Sequence, residues 1–363
     1  MPVAIVGAGP AGLAAAYALD APVTVFEKSR GVGGRAATRW RDVAGPGGML
    51  DRWRYDHGAQ YVSPEPGSPS ARLIREVMGD AVVGVGGAVW PFDDDGTLRP
   101  DRAREPGLRW TFRDGVAEVG RQLRDATPGL DLRQRRVTRL AAGDGGWAVE
   151  TDGGERHGPF GSVLLTPPAP QTAQVLRDSD LGDLDGAALA GALGRADYRS
   201  QFTVVWGFRG GVERPADVYA LVNAADPKDG ASQHGGDGGG HDVAWLAVES
   251  DKPGRAPDGA TILLAQMSEA WTRAHYDDAQ ADVVAAAAEA VRPLWGPLPT
   301  PLWTDTQRWR YSLPNAAAER GPLAAAAERG LFFAGDYTAG KGRVHLALEE
   351  GLAAAERVRE RTG

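Results

Sequence analysis

The hydrophobic pattern of the first thirty residues changes its period several times. Residues 3–6 form a short apolar run of β type, and residues 7–12 form a glycine-rich turn. Residues 13–19 are rich in alanine and helical in character, and residues 23–26 are again β-like. A strand, a turn, a helix and a second strand make a βαβ unit, which requires a parallel sheet.

The same periods predict further elements along the chain. Helices are predicted over residues 71–78, 116–124, 183–193, 278–291 and 344–359. Strands are predicted over residues 130–133, 147–151, 162–166, 202–208, 243–248, 261–266 and 331–334. Residues 63–70, which contain three prolines, and the glycine-rich residues 226–242 are expected to be loops.

Composition and charge narrow the possible functions. The 363 residues allow one large domain or two, and the net charge of −8 argues against binding to nucleic acid. The absence of cysteine excludes disulfides, thiolate metal sites, cysteine nucleophiles and attachment of a cofactor through cysteine. The six histidines have no metal-ligand spacing, so we expect no metal. The apolar residues 2–19 lack a basic leader and are interrupted by glycine and proline, so we expect a cytoplasmic protein that does not contact a membrane.

The glycine turn has the spacing of a dinucleotide-binding site. Gly7, Gly9 and Gly12 follow the G-x-G-x-x-G pattern, in which the glycines allow a tight turn, approach of a pyrophosphate and close helix packing. Glu27 follows the second strand, where a carboxylate can bind the ribose of an adenosine. We include Ala11 and Lys28 as further cofactor contacts. This pattern alone does not distinguish NAD from FAD.

Two further motifs favour FAD. The pair Gly33-Gly34 followed by Arg35 is typical of FAD enzymes, and we assign Gly34 and Arg35 to the cofactor site. At the far end of the chain, Gly335 and Asp336 follow the hydrophobic run 331–334. The Asp336 carboxylate suits the ribityl or pyrophosphate part of FAD, and the backbone N–H groups of the helix that follows suit the pyrimidine edge of the flavin.

The sequence resembles the renalase-like proteins of bacteria and archaea, a branch of the flavin amine oxidase superfamily. The resemblance rests on four segments and extends over most of the chain. They are D-H-G-A-Q-Y at 56–61, R-V-T-R-L at 136–140 with W-A-V at 147–149, L-T-P-P-A-P at 165–170, and R-W-R-Y at 308–311 followed by Gly335-Asp336. Two departures are Gln266, where animal members carry a histidine, and Arg343-Val344, where smaller residues are usual.

The resemblance implies a fold and further cofactor contacts. It implies an α/β protein with a Rossmann-type FAD-binding domain, of the p-hydroxybenzoate hydroxylase-like kind with a parallel sheet and a β-meander, plus an antiparallel-sheet substrate domain with helices. The FAD domain is expected to comprise residues 1–75, 115–172 and 302–363, and the substrate domain residues 76–114 and 173–301. FAD is expected to be bound without a covalent bond. The resemblance adds the cofactor contacts Ala59, Gln60, Val137, Arg343 and Val344.

An activity is also implied by the resemblance. Renalase-type enzymes oxidise the 2- and 6-dihydro isomers of NAD(P): a hydride passes to flavin N5, NAD(P)+ is released, and O2 reoxidises the flavin to give H2O2. Loss of a hydride from a dihydropyridine gives an aromatic cation, so orientation matters more than a general base. The candidates for the substrate side are Gln60, Tyr61, Trp309, Arg310 and Tyr311.

Two other functions remain open at this point. The first is an amine oxidase or desaturase that acts on a small amine or apolar substrate. The second is a flavin-binding protein without turnover. The sequence does not indicate a preference for NAD or NADP isomers, and it does not indicate an oligomeric state.

Overall fold

Strands and helices alternate at the amino-terminal end of the chain, whereas several strands follow one another without a helix further along it. The computed structural model describes residues 1–45, 48–103, 108–215, 217–224 and 240–362. The strands are β1 Val3–Val6, β2 Val23–Phe26, β3 Thr38–Ala44, β4 Leu50–Asp56, β5 Val82–Gly84, β6 Ala88–Phe92, β7 Trp110–Phe112, β8 Asp131–Arg133, β9 Val137–Gly143, β10 Gly146–Thr151, β11 Arg156–Phe160, β12 Ser162–Leu165, β13 Tyr198–Phe208, β14 Val218–Asn223, β15 Val243–Val248, β16 Thr261–Met267, β17 Trp303–Pro314 and β18 Leu331–Phe333. The helices are α1 Pro10–Ala18, α2 Pro69–Met78, α3 Glu118–Asp125, α4 Ala169–Arg177, α5 Gly186–Gly194, α6 Glu269–Ala274, α7 Gln280–Trp295, α8 Arg320–Ala325, α9 Asp336–Ala339 and α10 Val344–Thr362.

A five-stranded parallel sheet carries the glycine turn. Its strand order is β18-β12-β1-β2-β8. The chain passes from β1 to β2 on one side, and the later strand β12 pairs with β1 on the other side, so the strand order reverses at β1. In sheets of this kind ligands bind beyond the carboxyl ends of the strands at such a reversal. One face packs under α1, α3 and α10, and the other packs against the three-stranded meander β9–β11 and α4. The fold is therefore the expected Rossmann-type domain with a β-meander.

A six-stranded sheet forms the second layer of the molecule. Its order is β17-β13-β16-β15-β14-β6, and all its pairs are antiparallel except β14–β6. One face packs against α6 and α7, and the other packs against the hairpin β3–β4. The expected antiparallel substrate-side sheet is therefore present.

Strand β17 belongs to the six-stranded sheet, whereas the domain division predicted from the sequence grouped it with the FAD domain. That division assigned residues 302–363 to the FAD domain, but β17 is paired with β13 along nearly its whole length. The sequence did not reveal this pairing, because its backbone hydrogen bonds join strands about one hundred residues apart. Hydrophobic periodicity reports only on the local structure of a segment. Residues 303–314 therefore lie in the antiparallel sheet, and the rest of the division stays a prediction.

Most predicted elements are present with shifted ends. Helix α1 begins at Pro10 rather than at residue 13, because proline is tolerated in the first turn. Helix α5 begins at Gly186 because the Asp185 carboxylate caps it, accepting bonds from the N–H groups of residues 187 and 188. The predicted loop 63–70 ends earlier, since Ser68 caps α2. The predicted loop 226–242 lies largely outside the described residues.

Four charged side chains lie completely buried where the hairpin meets the six-stranded sheet. Asp56 at the end of β4 contacts Lys252 at 3.1 Å and Arg255 at 2.7 Å, and Glu249 contacts the same two cations at 2.6 and 3.0 Å. All four side chains have zero solvent exposure. Each cation thus faces two carboxylates, so the charges compensate each other locally. We call Asp56, Glu249, Lys252 and Arg255 the buried ion cluster.

Backbone and hydroxyl donors complete the coordination of Asp56. One carboxylate oxygen accepts bonds from the Thr38 hydroxyl at 2.6 Å and from the Val116 N–H at 2.9 Å. Burial disfavours the ionised form, but Lys252 and Arg255 outweigh it and lower the pKa of Asp56 to about 2. Asp56 is therefore ionised at neutral pH and connects three separate parts of the chain.

Replacement of Asp56 by asparagine should destabilise the protein strongly. It would leave two buried cations with one carboxylate, which costs roughly 3–5 kcal/mol of unfolding free energy. Urea titration followed by circular dichroism at pH 7 would measure the loss. The Asp56 contribution is fully present above its usual pKa of 3.8 and is lost as the pH falls towards 2, so the difference from wild type should shrink over that range.

The exposed pair of Asp42 and Arg52 supplies the matched control. Their side chains are 37% and 52% exposed, so Asp42→Asn should leave the urea midpoint nearly unchanged. Equal midpoints for D56N and D42N would contradict a structural role for the buried ion cluster.

Candidate active site

The glycine turn is held rigidly between the first two parallel strands. Gly7 has φ +100°, and a Cβ there would lie 2.6 Å from the Thr166 hydroxyl. A Cβ on Gly12 would lie 2.0 Å from the carbonyl of Gly7, so the start of α1 packs directly on the turn. The Glu27 carboxylate accepts a 2.8 Å bond from the N–H of Ala8 and so ties the turn to β2. The spacing predicted from the sequence therefore forms the tight turn that it requires.

Gly9 is different, because the chain itself does not require a glycine there. Its φ is −80°, and a Cβ at this position would meet nothing within 4 Å. A Cβ on Gly34 would come within 3.3 Å of the Gly9 Cα, so the two glycine motifs lie side by side. The open space at Gly9, next to the amino end of α1, fits a phosphate group that approaches the backbone closely.

Arg35 joins the amino-terminal motifs to Asp336. Its guanidinium forms two parallel bonds with the Asp336 carboxylate, at 2.7 and 2.9 Å. The Tyr198 hydroxyl donates to the same carboxylate at 2.6 Å. Burial and the neighbouring Asp336 raise the pKa of Tyr198, which therefore stays a neutral donor. The structure thus brings Arg35 and Asp336 together, and Tyr198 is a residue that the sequence did not reveal.

The D-H-G-A-Q-Y segment lies between the arginine motif and the six-stranded sheet. The N–H groups of His57 and Ala59 donate to the carbonyls of Ala37 and Arg35, at 3.1 and 3.0 Å. On the other side, the indole N–H of Trp309 donates to the His57 carbonyl at 2.9 Å, as does the Thr203 hydroxyl. Residues 57–59 are therefore fixed from two sides by different layers of the molecule.

His57 is a buried, neutral ring. It stacks on Trp309 with ring centroids 5.4 Å apart and an interplanar angle of 9°. Burial is the main reason that its pKa falls to about 4, and the nearby Arg39 lowers it further. His57 therefore carries no charge at neutral pH.

Aromatic rings and amides line the sheet face beside this segment. Tyr61 contacts Trp245 with centroids 6.0 Å apart, and Tyr219 contacts the same indole at 6.1 Å. Gln266, opposite Trp245 in the sheet, donates to the Gly58 carbonyl at 2.8 Å. Trp245 and Tyr219 were missed because they sit in continuous apolar strands, where an aromatic residue usually serves the core.

The R-W-R-Y candidates are distributed over two places. Trp309 faces His57, whereas Arg310 and Tyr311 line an open pocket of about 440 Å³. The other residues that line this pocket are Tyr198, Ser200, Glu269, Arg273 and Tyr276. Trp309 and Arg310 are successive residues of β17, whose side chains point to opposite faces of the strand. Tyr311 borders the pocket through its contact with Tyr198, with ring centroids 6.0 Å apart. The structure thus separates Arg310 from Gln60, Tyr61 and Trp309.

The remaining predicted cofactor contacts lie at or near the ends of strands and helices. Val137 begins β9 and packs in the core between meander and sheet, while Lys28 is exposed beside Glu27. The Arg343 carbonyl accepts the first helical bond of α10, from Ala347 at 3.0 Å, and Val344 is its first residue. These positions are at the ends of elements, where backbone groups are available to a ligand.

This arrangement defines a dinucleotide-binding flavoprotein of the Rossmann type. A model of the flavin containing amine oxidoreductase family matches residues 85–359, and one of the NAD(P)-binding Rossmann-like domain matches residues 5–77. The chain belongs to the flavin-containing amine oxidoreductase family. It is an FAD-dependent oxidoreductase, and FAD is its cofactor.

Solved structures agree on the fold. A variant of putrescine oxidase has a TM-score of 0.71 at 16% identity, covering 99% of both chains. Cyclohexylamine oxidase from Brevibacterium oxydans has a TM-score of 0.69 at 15% identity and the same coverage. The CLA-producing fatty acid isomerase from P. acnes has a TM-score of 0.67 at 16% identity, covering 98% of both chains. None of the described helices combines the length and apolar character needed to span a bilayer.

Gly9→Val should abolish retention of FAD without unfolding the chain. The valine side chain would occupy the open space beside the backbone, and nothing in the protein would oppose it. The ratio of flavin absorbance to protein absorbance after purification would measure retention, and the thermal unfolding midpoint would report the fold.

Gly84→Val is the matched control, because Gly84 is exposed in β5 and a Cβ there also meets nothing within 4 Å. This variant should purify with a full complement of flavin. A G9V protein as yellow as wild type would show that the cofactor does not approach Gly9.

Proposed function

We propose that the enzyme oxidises the 2- and 6-dihydro isomers of NAD(P). The net reaction converts one dihydronicotinamide, one O2 and one proton into NAD(P)+ and H2O2. FAD supplies the two-electron acceptor that takes the hydride from the substrate. The proposal rests on the four sequence segments shared with renalase-like proteins and on the chemistry of the side chains around residues 57–61.

The observation that carries the proposal is that the described side chains around residues 57–61 include no strong, unpaired base. His57 has a pKa of about 4 and is stacked on Trp309. Among the described residues nearby, Asp56 and Lys252 are held in the buried ion cluster, and Asp305 is paired with Arg39. Amine oxidation needs a deprotonated amine, whereas hydride loss from a dihydropyridine needs no proton acceptor. The side chains therefore favour a substrate that requires only orientation.

The aromatic residues suit such a substrate. Tyr61 contacts Trp245, and Trp309 stacks on His57, which belongs to the same segment as Tyr61. We propose that they hold a planar ring for hydride transfer, which is catalysis by proximity and orientation. Gln60 adds a polar edge to this space.

We propose that the sequence motifs bind successive parts of FAD, from the adenosine to the flavin ring. Gly7, Gly9, Ala11 and Gly12 would hold the pyrophosphate, with Glu27, Lys28 and Val137 near the adenosine. Gly34, Arg35, Gly335 and Asp336 would hold the centre of FAD, with Ala59, Gln60, Arg343 and Val344 beside the flavin ring. The binding is proposed to be non-covalent, so acid precipitation should release all flavin into the supernatant.

Oxidation of a small amine is the second candidate function. It is favoured by the family match and by the similarity to putrescine oxidase and cyclohexylamine oxidase. The contact between Tyr61 and Trp245 could also border an amine. The weakly basic His57 and the paired state of the other described titratable groups near residues 57–61 argue against it.

Anaerobic mixing distinguishes the candidates. The yellow protein is mixed with borohydride-generated NADH isomers, with authentic NADH, and with putrescine and cyclohexylamine. Bleaching of the flavin absorbance within seconds by the isomers alone is the expected result. Bleaching by an amine would show that the enzyme is an amine oxidase. If none of the compounds bleaches the flavin, both candidate functions are refuted.

Trp309→Ala should slow flavin reduction and leave the FAD content unchanged. The variant removes the ring stacked on His57 and its bond to the His57 carbonyl, while Thr203 still holds that carbonyl. We expect a loss of at least about tenfold in the reduction rate, measured by anaerobic stopped flow.

Trp309→Phe separates the contribution of the aromatic ring from that of the indole N–H, because it keeps an aromatic ring but removes the hydrogen-bond donor. It should retain most of the rate if stacking is the main contribution. Loss of FAD from W309A during purification would instead indicate that Trp309 supports the cofactor.

A further inference from the structure

We propose that the amide oxygen of Gln60 selects substrates whose ring carries an uncharged carboxamide and excludes the corresponding carboxylate. The enzyme would then oxidise dihydronicotinamide dinucleotides and reject dihydronicotinate dinucleotides. This inference rests on the proposed function and adds a specificity-determining residue to it.

The orientation of the Gln60 amide is fixed by its neighbours. The amide nitrogen donates to the Asp56 carbonyl at 2.6 Å and to the Gly58 carbonyl at 3.1 Å. A flipped amide would place its oxygen against both carbonyls, and three acceptors cannot pair with each other. The side chain therefore presents its oxygen, Oε1, away from these carbonyls.

None of the residues that the structure describes bonds to that oxygen. Gln60 is 8% exposed, and Oε1 is buried without a hydrogen bond from any described residue. A buried acceptor left unpaired costs roughly 1–3 kcal/mol, so such an atom is usually satisfied by water or a ligand. Gln60 precedes Tyr61, whose ring contacts Trp245, and under the proposal the unpaired acceptor lies beside these rings. A ligand N–H group is the partner that it fits.

A second unpaired group, a donor, belongs to the residue that Tyr61 contacts. Trp245 contacts Tyr61 and has a buried indole N–H without an acceptor among the described residues. A carboxamide carries both an N–H donor and a carbonyl acceptor, so it can satisfy both kinds of group. A carboxylate offers acceptors only and would leave Gln60 Oε1 facing a negative oxygen.

The described cations nearest residues 56–58 are already paired with carboxylates. Lys252 and Arg255 each face two carboxylates of the buried ion cluster, and Arg39 is paired with Asp305. A carboxylate in this space would therefore lose its water without gaining an ion pair. Discrimination of at least about tenfold in favour of the carboxamide follows.

The test compares two substrates that differ only in this group. Dihydro isomers are made by borohydride reduction of NAD+ and of nicotinic acid adenine dinucleotide, and flavin reduction is followed anaerobically by stopped flow. Wild type should be reduced at least about tenfold faster by the carboxamide isomers. Gln60→Met, which keeps the length of the side chain without an acceptor, should reduce the ratio to near one.

Binding of the two unreduced dinucleotides provides a measurement independent of turnover. Wild type should bind NAD+ at least about tenfold more tightly than its nicotinic acid analogue, as followed by the change in flavin absorbance on titration. Gln280→Met is the matched control, because Gln280 is exposed at the start of α7, and it should keep both ratios. Should Q60M not fold, Gln60→Asn withdraws the acceptor by one methylene and is expected to lower both ratios.

The outcomes separate this inference from the proposed function. Equal reduction of wild type by both isomers would overturn the selection while the proposed function stands. A Q60M protein that keeps the wild-type ratios but loses flavin or shifts its spectrum would assign Oε1 to the cofactor and also overturn it. If neither isomer reduces the flavin, the proposed function fails, and equal binding of the two dinucleotides would then refute the selection as well.

Discussion

The buried ion cluster is the constraint on which the active-site region depends. Charges removed from water are tolerated only when each is paired, so Asp56, Glu249, Lys252 and Arg255 can occupy few arrangements. Asp56 ends the strand β4 and is also the first residue of the D-H-G-A-Q-Y segment. The pairing that joins hairpin and six-stranded sheet therefore also fixes where His57, Gly58 and Gln60 begin.

The uncharged polar groups next to the buried ion cluster are also paired. The carbonyls of residues 56, 57 and 58 each accept at least one side-chain bond, from Gln60, Trp309 and Gln266 respectively. With its backbone acceptors satisfied from both layers, this segment can expose few polar atoms of its own. The atoms that remain without a partner, such as Gln60 Oε1, are consequently informative about what the site receives.

The parts of the fold that were predictable are those encoded by neighbouring residues. The βαβ unit, its glycines and Glu27 lie within thirty residues, and their spacing reflects local geometry. The hairpin β3–β4 and the strand β17 were not predicted, although charged and apolar residues alternate through parts of them, which is the period of a half-buried strand. Lys252 pairs with Asp56 from 196 residues away, and no local pattern distinguishes such a lysine from an exposed one. The separation of Trp309 from Arg310 followed the period of the strand, but only the structure shows which face meets His57.

The balance of charges around residues 56–61 determines the electric field that acts on a bound ring, which the fold alone does not specify. Two cations and two carboxylates compensate each other in the buried ion cluster, and His57 is neutral, so this region imposes little fixed field on a bound ring. A dihydropyridine becomes a cation as its hydride leaves. The faces of Tyr61 and Trp245 carry negative π density, which stabilises a developing positive charge without supplying a counter-ion. Under the proposed function, Tyr61 and Trp245 would therefore favour departure of the hydride, and the same faces would also attract the ammonium group of an amine.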